Sequence, residues 1–269
     1  MPEDPERWTV VDIDDAISLS MKRRSKGIRT VLDLLGENIR SPTGADEVVR
    51  GYMELIDRIS MEGLGSSISV KLSALGYMAD VDGAFNRLYR ISDRARSKSV
   101  GFELDMEWTP MVDHTIEVAE MCSKAGHPVT LAIQAYLNRS SDDIGYLQKR
   151  NIRVRLVKGA YRGEVSDFNE IQKRFVGLLS QLADSKKPFA IGTHDPDIMK
   201  WVGEMMIGSK DQIELGFLRG LSDATKYQFS SNGWKVAEYI PIGRDIKAYV
   251  GRREAYLKKL GEIGRYPAP

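Results

Sequence analysis

The stretch VTLAIQAYLNRSSDDIGYLQKRNIRVRLVKGAY, residues 129–161, holds the unit from which the fold is read. Its ends, VTLAIQAY (129–136) and IRVRLVK (152–158), are nearly continuous apolar runs, the pattern of strands covered on both faces in a parallel sheet. Between them Ser141 opens a stretch with helical patterning, and parallel strands need a crossover of this kind. Working outward, the same unit recurs. Strands read at 29–35, 68–75, 101–107, 129–136, 152–158, 189–193, 212–218 and 235–241. Thr43, Asp80, Thr109, Ser141 and Asp195-Pro196 mark helix starts between them. In 47–61, Val48, Val49, Tyr52, Leu55, Ile56 and Ile59 share one helical face. Eight such alternations predict an α/β fold, a (βα)8 TIM-type barrel. Residues 27–269 form this single barrel domain, and 1–26 a helical extension with its helix over 11–25. A doubly wound open sheet is the alternative, but that fold opens on a Gly-rich turn, and here the first strand leads into LDLLGENIR. There is no GxGxxG and no Walker motif.

Composition narrows the function classes. With 39 Lys+Arg against 38 Asp+Glu the chain carries a net charge of +1, which argues against a dedicated nucleic-acid binder. The hydrophobic fraction of 42% suffices for a sizeable core. Its one cysteine, Cys122, excludes an internal disulfide, and the histidines (His114, His127, His194) are too scattered for a metal site, so no metal is expected. The acidic, Pro-containing start is no signal peptide, and no run reaches the ~20 apolar residues of a membrane span. A cytoplasmic protein is expected. The basic run Lys22, Arg23, Arg24, Lys26 reads as a solvated helix end, with a peripheral contact to the inner face of an anionic membrane as the minority reading.

Polar groups interrupt the strands: Lys71 in SVKLSAL, Asp105 in ELDME, Gln134 in LAIQAY, Arg155 and Lys158 in VRLVKGAY, Thr193 and His194 in IGTHD. Buried charges must pair with one another or with a ligand. For each residue alone a structural ion pair is the better reading, whereas the set converging on a barrel mouth reads as a ligand site. Lys71, Arg155, Lys158, Arg252 and Arg253 outnumber Asp105 and Glu107, a surplus that suits an anionic ligand. Arg155 and Val157 share strand parity, and Lys158-Gly159-Ala160 at the turn offers backbone N–H groups suited to phosphate oxygens. In the last helix, read over 245–260, Tyr249, Arg252, Arg253 and Tyr256 lie on one face. Such a pair of guanidinium groups can clasp a carboxylate, the alternative being a solvated basic face near a helix C-terminus.

LDLLGE (32–37), SVKLSALG (69–76), ELDME (103–107), AIQAYLNR (132–139), RVRLVKGAY (153–161), GTHD (192–195) and YIPIGRD…YVGRR (239–253) occur in an order that resembles the proline dehydrogenase family. The resemblance implies a distorted barrel whose last helix packs over the mouth. It implies FAD, with FMN as the alternative, contacted by Met106, Gln134, Arg155, Val157, Lys158, Gly159, Ala160, Thr193 and His194. Asp105 and Arg155 match catalytic positions. Lys71, Arg252 and Arg253 would hold the substrate carboxylate, with Tyr161, Tyr239 and Tyr249 shaping the pocket. The implied activity is oxidation of L-proline to 1-pyrroline-5-carboxylate by hydride transfer to flavin N5. Electrons would pass to a quinone or another acceptor, and a pyrroline-5-carboxylate dehydrogenase would be a partner. No histidine falls in the substrate part, so substrate deprotonation is expected to govern the pH dependence. The chain departs from the family in Tyr256, where an acidic residue is common after the Arg pair, and in Asp195 for the commoner Asn. It is short for the family, so a reduced N-terminal arm is expected. Alternatives are oxidation of hydroxyproline or another cyclic imino acid, a Schiff-base lyase using Lys71 or Lys158, and a flavin-binding protein without turnover.

Overall fold

The structure, a computed structural model, describes residues 5–161, 163–244 and 246–264. Eight parallel strands, β1 (Ile28–Leu34), β2 (Ser67–Val70), β3 (Gly101–Leu104), β4 (Thr130–Gln134), β5 (Arg153–Val157), β6 (Phe189–Gly192), β7 (Ile213–Leu218) and β8 (Lys235–Ile242), pair in sequence order into a closed barrel. The seam between β1 and β8 runs from Ile28↔Val236 to Leu34↔Ile242. Around the barrel lie α1 (Ile13–Arg24), α2 (Pro42–Met61), α3 (Val81–Ser97), α4 (Val112–Lys124), α5 (Ser140–Lys149), α6 (Phe168–Asp184), α7 (Pro196–Met205), α8 (Asp223–Ser231) and α9 (Lys247–Glu262).

All eight strands expected from the apolar runs are present, six of them shorter than the runs and β2 most of all. β2 ends at Val70 because the chain turns into a buried 3-10 turn, Leu72–Leu75, closed by Gly76 at φ 86°. Only glycine adopts that left-handed conformation without strain. β3 ends at Leu104, although the Asp105 amide still donates to the Val70 carbonyl at 2.9 Å. Helix starts follow side-chain caps. Asp80 caps α3 and Asp195 caps α7, as read. Ser41 caps α2 in place of Thr43, because Pro42 already occupies the first helical turn. Thr109 opens a 3-10 turn ahead of α4, and α5 begins one residue before Ser141. α9 starts at Lys247; Asp245 lies outside the described residues.

The apolar core fills the layer between strands and helices. On α2, Val49, Tyr52, Leu55, Ile56 and Ile59 are buried, with Val48 packed against them. Inside the barrel the lower layer is ionic. Arg29 on β1 reaches Glu103 on β3 at 3.0 Å and Glu214 on β7, with its Nε donating to Glu214 at 3.0 Å. Outside the strands, α1 packs through Ala16 and Ile17. Its basic end is solvated at Lys22, Arg24 and Lys26, as read, and is tied down at several points. Arg23 pairs with buried Glu238, which also pairs with Lys226 of α8; Arg24 donates to the Gly63 carbonyl at 2.7 Å, and Lys26 sits 4.6 Å from the Tyr227 ring centroid. Among the described residues no helix is long and apolar enough to cross a membrane.

Candidate active site

At the C-terminal rim the expected strand residues converge. Lys71, just past β2, donates to Asp33 at 2.6 Å and pairs with Asp105 at 3.0 Å. Arg155 on β5 donates to Glu103 at 2.6 Å and to the Tyr239 hydroxyl at 2.9 Å, pairs with Asp105, and lies 4.8 Å from the Tyr239 ring centroid. Ser69 donates to Asp105 at 2.8 Å. Three carboxylates and two cations from four strands, with the Tyr239 hydroxyl from a fifth, therefore form one buried lattice. Burial alone would raise the Asp105 pKa, but Lys71 and Arg155 outweigh it and hold this carboxyl well below its ordinary value. Burial likewise opposes charge on Lys71, and Asp105 and Asp33 overcome it, so the amine stays protonated. Asp33 moves the other way: burial pushes it up to about 6 despite the attraction of Lys71. A protonated, ion-paired Lys71 is unsuited to Schiff-base chemistry, which needs a free amine.

Next along the rim, the Gln134 amide is oriented by two donations, to the Met106 and Glu107 carbonyls at 3.0 Å each, which leaves its Oε1 buried without a partner among the described residues. Glu107 itself accepts from the Ser73 amide at 2.9 Å. Beyond Val157, the loop carrying Lys158, Gly159, Ala160 and Tyr161 is moulded on Tyr136. A Cβ at Gly159 would lie 1.8 Å from that ring and one at Gly163 2.2 Å from it, so both must be glycine. Lys158 pairs with Asp195 at 2.5 Å, its nitrogen 4.0 Å from the Phe168 ring centroid. His194 is fully engaged: Nε2 accepts from the Leu218 amide at 3.0 Å, so Nδ1 carries the hydrogen and donates to Ser222 at 3.0 Å. Burial, with Arg253 and Lys226 nearby, drops its pKa to about 3 and keeps the ring neutral. Thr193 Oγ1 accepts from the Asp195 amide at 3.2 Å.

α9 lies across this mouth and brings its paired arginines to different partners. Arg252 forms a two-pronged pair with Glu37, one prong at 2.9 Å, and stacks 4.9 Å from the Tyr161 ring centroid; the Tyr161 hydroxyl donates to Glu37 at 3.3 Å. This ion pair joins α9 to the β1–α2 loop, with Tyr256 standing one turn beyond it. Tyr256 hydrogen-bonds to Thr193 and the His194 backbone. Arg253 is 4% exposed and donates through Nη1 to the Arg219 carbonyl at 3.0 Å, while Nε and Nη2 are buried with no hydrogen-bond partner among the described residues. The expected surplus of five cations is corrected accordingly. Lys71, Arg155, Lys158 and Arg252 meet Asp33, Glu103, Asp105, Asp195 and Glu37, because burial demands a counter-charge for each. Among the described residues Arg253 alone of the five has no carboxylate.

The sequence profile described as proline dehydrogenase matches residues 16–255. This chain belongs to the proline dehydrogenase family. Proline dehydrogenase of Deinococcus radiodurans is 30% identical over 255 residues, covering 90% of this chain and 82% of the relative. Proline dehydrogenase 2 of Bacillus subtilis is 29% identical over 254 residues, covering 91% and 83%. In fold the chain is similar to proline utilization A (PutA) of Bdellovibrio bacteriovorus, with a TM-score of 0.82 at 23% identity over 93% of this chain, which spans only 32% of that protein. Family membership makes this chain an oxidoreductase of proline oxidation, the first step of proline catabolism, and in general flavin-dependent. Asp33, Glu37 and Glu103 belong to the mouth and escaped residue-by-residue reading. Each lies in a segment quoted for the resemblance, LDLLGE or ELDME; Asp33 interrupts the apolar run VLDLL and could have been found by the same signal as Lys71, whereas Glu37 and Glu103 interrupt none.

Proposed function

We propose that this chain oxidises L-proline to 1-pyrroline-5-carboxylate with FAD bound along the rim from β3 to β6. The carrying observation is Arg253: a buried guanidinium whose Nε and Nη2 share one edge, unpaired, while Nη1 is tied back. That edge is the geometry for bidentate capture of a single carboxylate. Lys71 lies on the opposite side of the mouth as a second cation, and Tyr161, Tyr239 and Tyr249 bound the space between. Arg252, held by Glu37, closes the solvent side and excludes water.

The residues present fit a flavin. The orphaned Gln134 Oε1 needs an N–H donor, and Gly159 and Ala160 at the turn after Lys158 offer backbone N–H groups suited to phosphate oxygens. Met106, Gln134, Arg155, Val157, Lys158, Gly159, Ala160, Thr193 and His194 would hold it, an extended ribbon that suits FAD. His194 contributes through its ring and backbone, both of its nitrogens being committed. Bound flavin supplies the two-electron acceptor for the C–H bond beside the proline nitrogen. Around it Arg155 places a fixed positive charge and Asp105 locks Arg155 and Lys71 in register, a preorganised field that needs no rearrangement. With Asp105 held ionised at low pH and Lys71 protonated, neither is tuned to take the amine proton near neutrality, so proline must bind as its neutral amine. A quinone or another acceptor then reoxidises the cofactor, and the pyrroline passes to a pyrroline-5-carboxylate dehydrogenase.

Anaerobic titration of purified protein tests this reading. L-Proline should bleach the flavin absorbance, hydroxyproline less completely, and the flavin released on denaturation should be FAD. Flavin that stays oxidised with both imino acids overturns the activity, and released FMN overturns the cofactor.

A further inference from the structure

The segment ahead of α1 precedes the span shared with the family, residues 16–255, yet it reaches the mouth. After the 3-10 turn Pro5–Trp8, Val10 clips onto the C-terminal end of β8: its amide donates to the Pro241 carbonyl at 2.9 Å and its carbonyl accepts from the Gly243 amide at 2.9 Å. This clip fixes where Trp8 falls. The indole is 1% exposed and lies against Gly220, where a Cβ would sit 2.9 Å from Trp8 Cδ1. On its other side is the Arg253 guanidinium, 5.2 Å from the Trp8 ring centroid and 4.6 Å from that of Tyr249.

Arg253 therefore lies over two aromatic rings, one from its own helix and one from the N-terminal segment. Burial above all disfavours its cation, the Tyr249 hydroxyl favours it, and the charges of Arg7 and Arg219 again oppose it; no carboxylate among the described residues pairs with it. Facing π-systems are a remaining source of stabilisation, and cation–π attraction is strongest for a desolvated guanidinium. Nη1 held by the Arg219 carbonyl and two rings within cation–π distance together restrain the guanidinium plane and leave its Nε–Nη2 edge unmet.

We propose that Trp8 is a positioning residue for the substrate: it holds the plane of Arg253 so that this edge meets the proline carboxylate, and the clip of Val10 on β8 makes the N-terminal segment part of the binding site. This rests on the reading of Arg253 as the carboxylate ligand. The segment thereby acts on affinity, through KM, with the oxidation step itself left to the barrel.

The test uses the full-length, flavin-loaded enzyme and variants Trp8→Phe, Trp8→Leu and Arg253→Lys. Binding of cyclopentanecarboxylate, which has proline's ring and carboxylate but no nitrogen, is read from perturbation of the flavin absorbance, alongside kcat and KM for L-proline and flavin content. Trp8→Leu should weaken cyclopentanecarboxylate and raise the proline KM by about tenfold with kcat nearly unchanged, and Trp8→Phe, which keeps an aromatic face, should stay within about threefold of the parent. Unchanged binding in Trp8→Leu while Arg253→Lys binds weakly overturns the positioning role alone. Unchanged binding in Arg253→Lys overturns the carboxylate reading and this proposal with it. Trp8→Phe as damaging as Trp8→Leu also overturns the stacking account. Should Trp8→Leu not load flavin, Val10→Pro, which removes the amide donated to Pro241, carries the same tenfold expectation, and parental binding by it overturns the proposal.

Discussion

Lys226 and Arg253 are both buried cations, 0% and 4% exposed, and they do opposite work. Lys226 sits outside the barrel under α8, paired with Glu238, itself 0% exposed, and with Asp223 at 2.6 Å. Arg23 joins the same Glu238. Every charge there is met by another, and the cluster welds α1 and α8 to β8. Arg253 sits at the mouth with two nitrogens unmet. Desolvation acts on both, so the difference lies in whether the chain supplies the counter-charge or leaves it to a ligand. A satisfied pair is a fastening, and an unsatisfied cation in a closed space is a receptor.

Removing one partner on each side should break the two in different currencies. Glu238→Ala leaves Arg23 without its carboxylate and Lys226 with Asp223 alone, and should cost about 3–5 kcal/mol of stability by urea unfolding, while the surviving folded protein keeps its proline KM. Arg253→Met should cost about 2–4 kcal/mol of transition-state binding, a fall of about 30- to 1000-fold in kcat/KM, with a melting temperature equal to or above the parent's because a desolvated charge is gone. A large loss of stability in Arg253→Met would erase the distinction.

Acid sharpens it further. His194, beside Arg253, has a pKa of about 3 against an ordinary 6.5, so the folded state binds fewer protons than the unfolded chain between these values. Its contribution is complete above pH 6.5 and is lost as pH falls, by at most about 1.4 kcal/mol per pH unit. Asp33, raised from 3.8 to about 6, has the reverse linkage: the folded state binds the extra proton, which favours folding as pH drops from 6 towards 4. Urea unfolding between pH 6.5 and 4.5 should therefore show a shallower acid loss in His194→Asn and a steeper one in Asp33→Asn. The smallest effect is expected at Tyr161, whose hydroxyl gives one hydrogen bond to Glu37. Tyr161→Phe should lower kcat/KM by about two- to tenfold. The rise of kcat/KM with pH, set by the substrate amine, should keep its slope; a flattened profile would assign the titration to the enzyme.

The barrel was legible because its strands are buried on both faces and read as apolar runs, and because eight of them alternate with helices. What blurred was where strands stop, as at Val70 and Leu104, since the chain leaves the ladder there to carry side chains into the mouth. Half of the site was legible for a related reason: Lys71, Gln134 and Arg155 stand out against apolar neighbours. Among the carboxylates they meet, Asp33 in VLDLL carries the same signal, and the others do not. Glu103 follows Gly101 and Phe102 at a strand start and resembles a solvent residue, and Glu37 looks like loop, yet one meets Arg155 from 52 positions away and the other meets Arg252 from 215. Barrel closure creates those pairs, and no local pattern encodes them. Trp8 gave no signal, lying in an acidic, Pro-containing start.

The seam between β1 and β8 joins the two ends of the barrel through seven paired residues. It carries Asp33 on one side and Tyr239 on the other, so the mouth is completed by the strand pairing with the greatest separation along the chain. Contacts of that kind form late, after the loop entropy of the whole barrel has been overcome. During synthesis, Lys71 and Asp105 emerge well before Arg155, and α9 comes last of all. A nascent chain can therefore assemble most of its strands while holding no substrate pocket, and competence to bind arrives in one step, when the ring shuts.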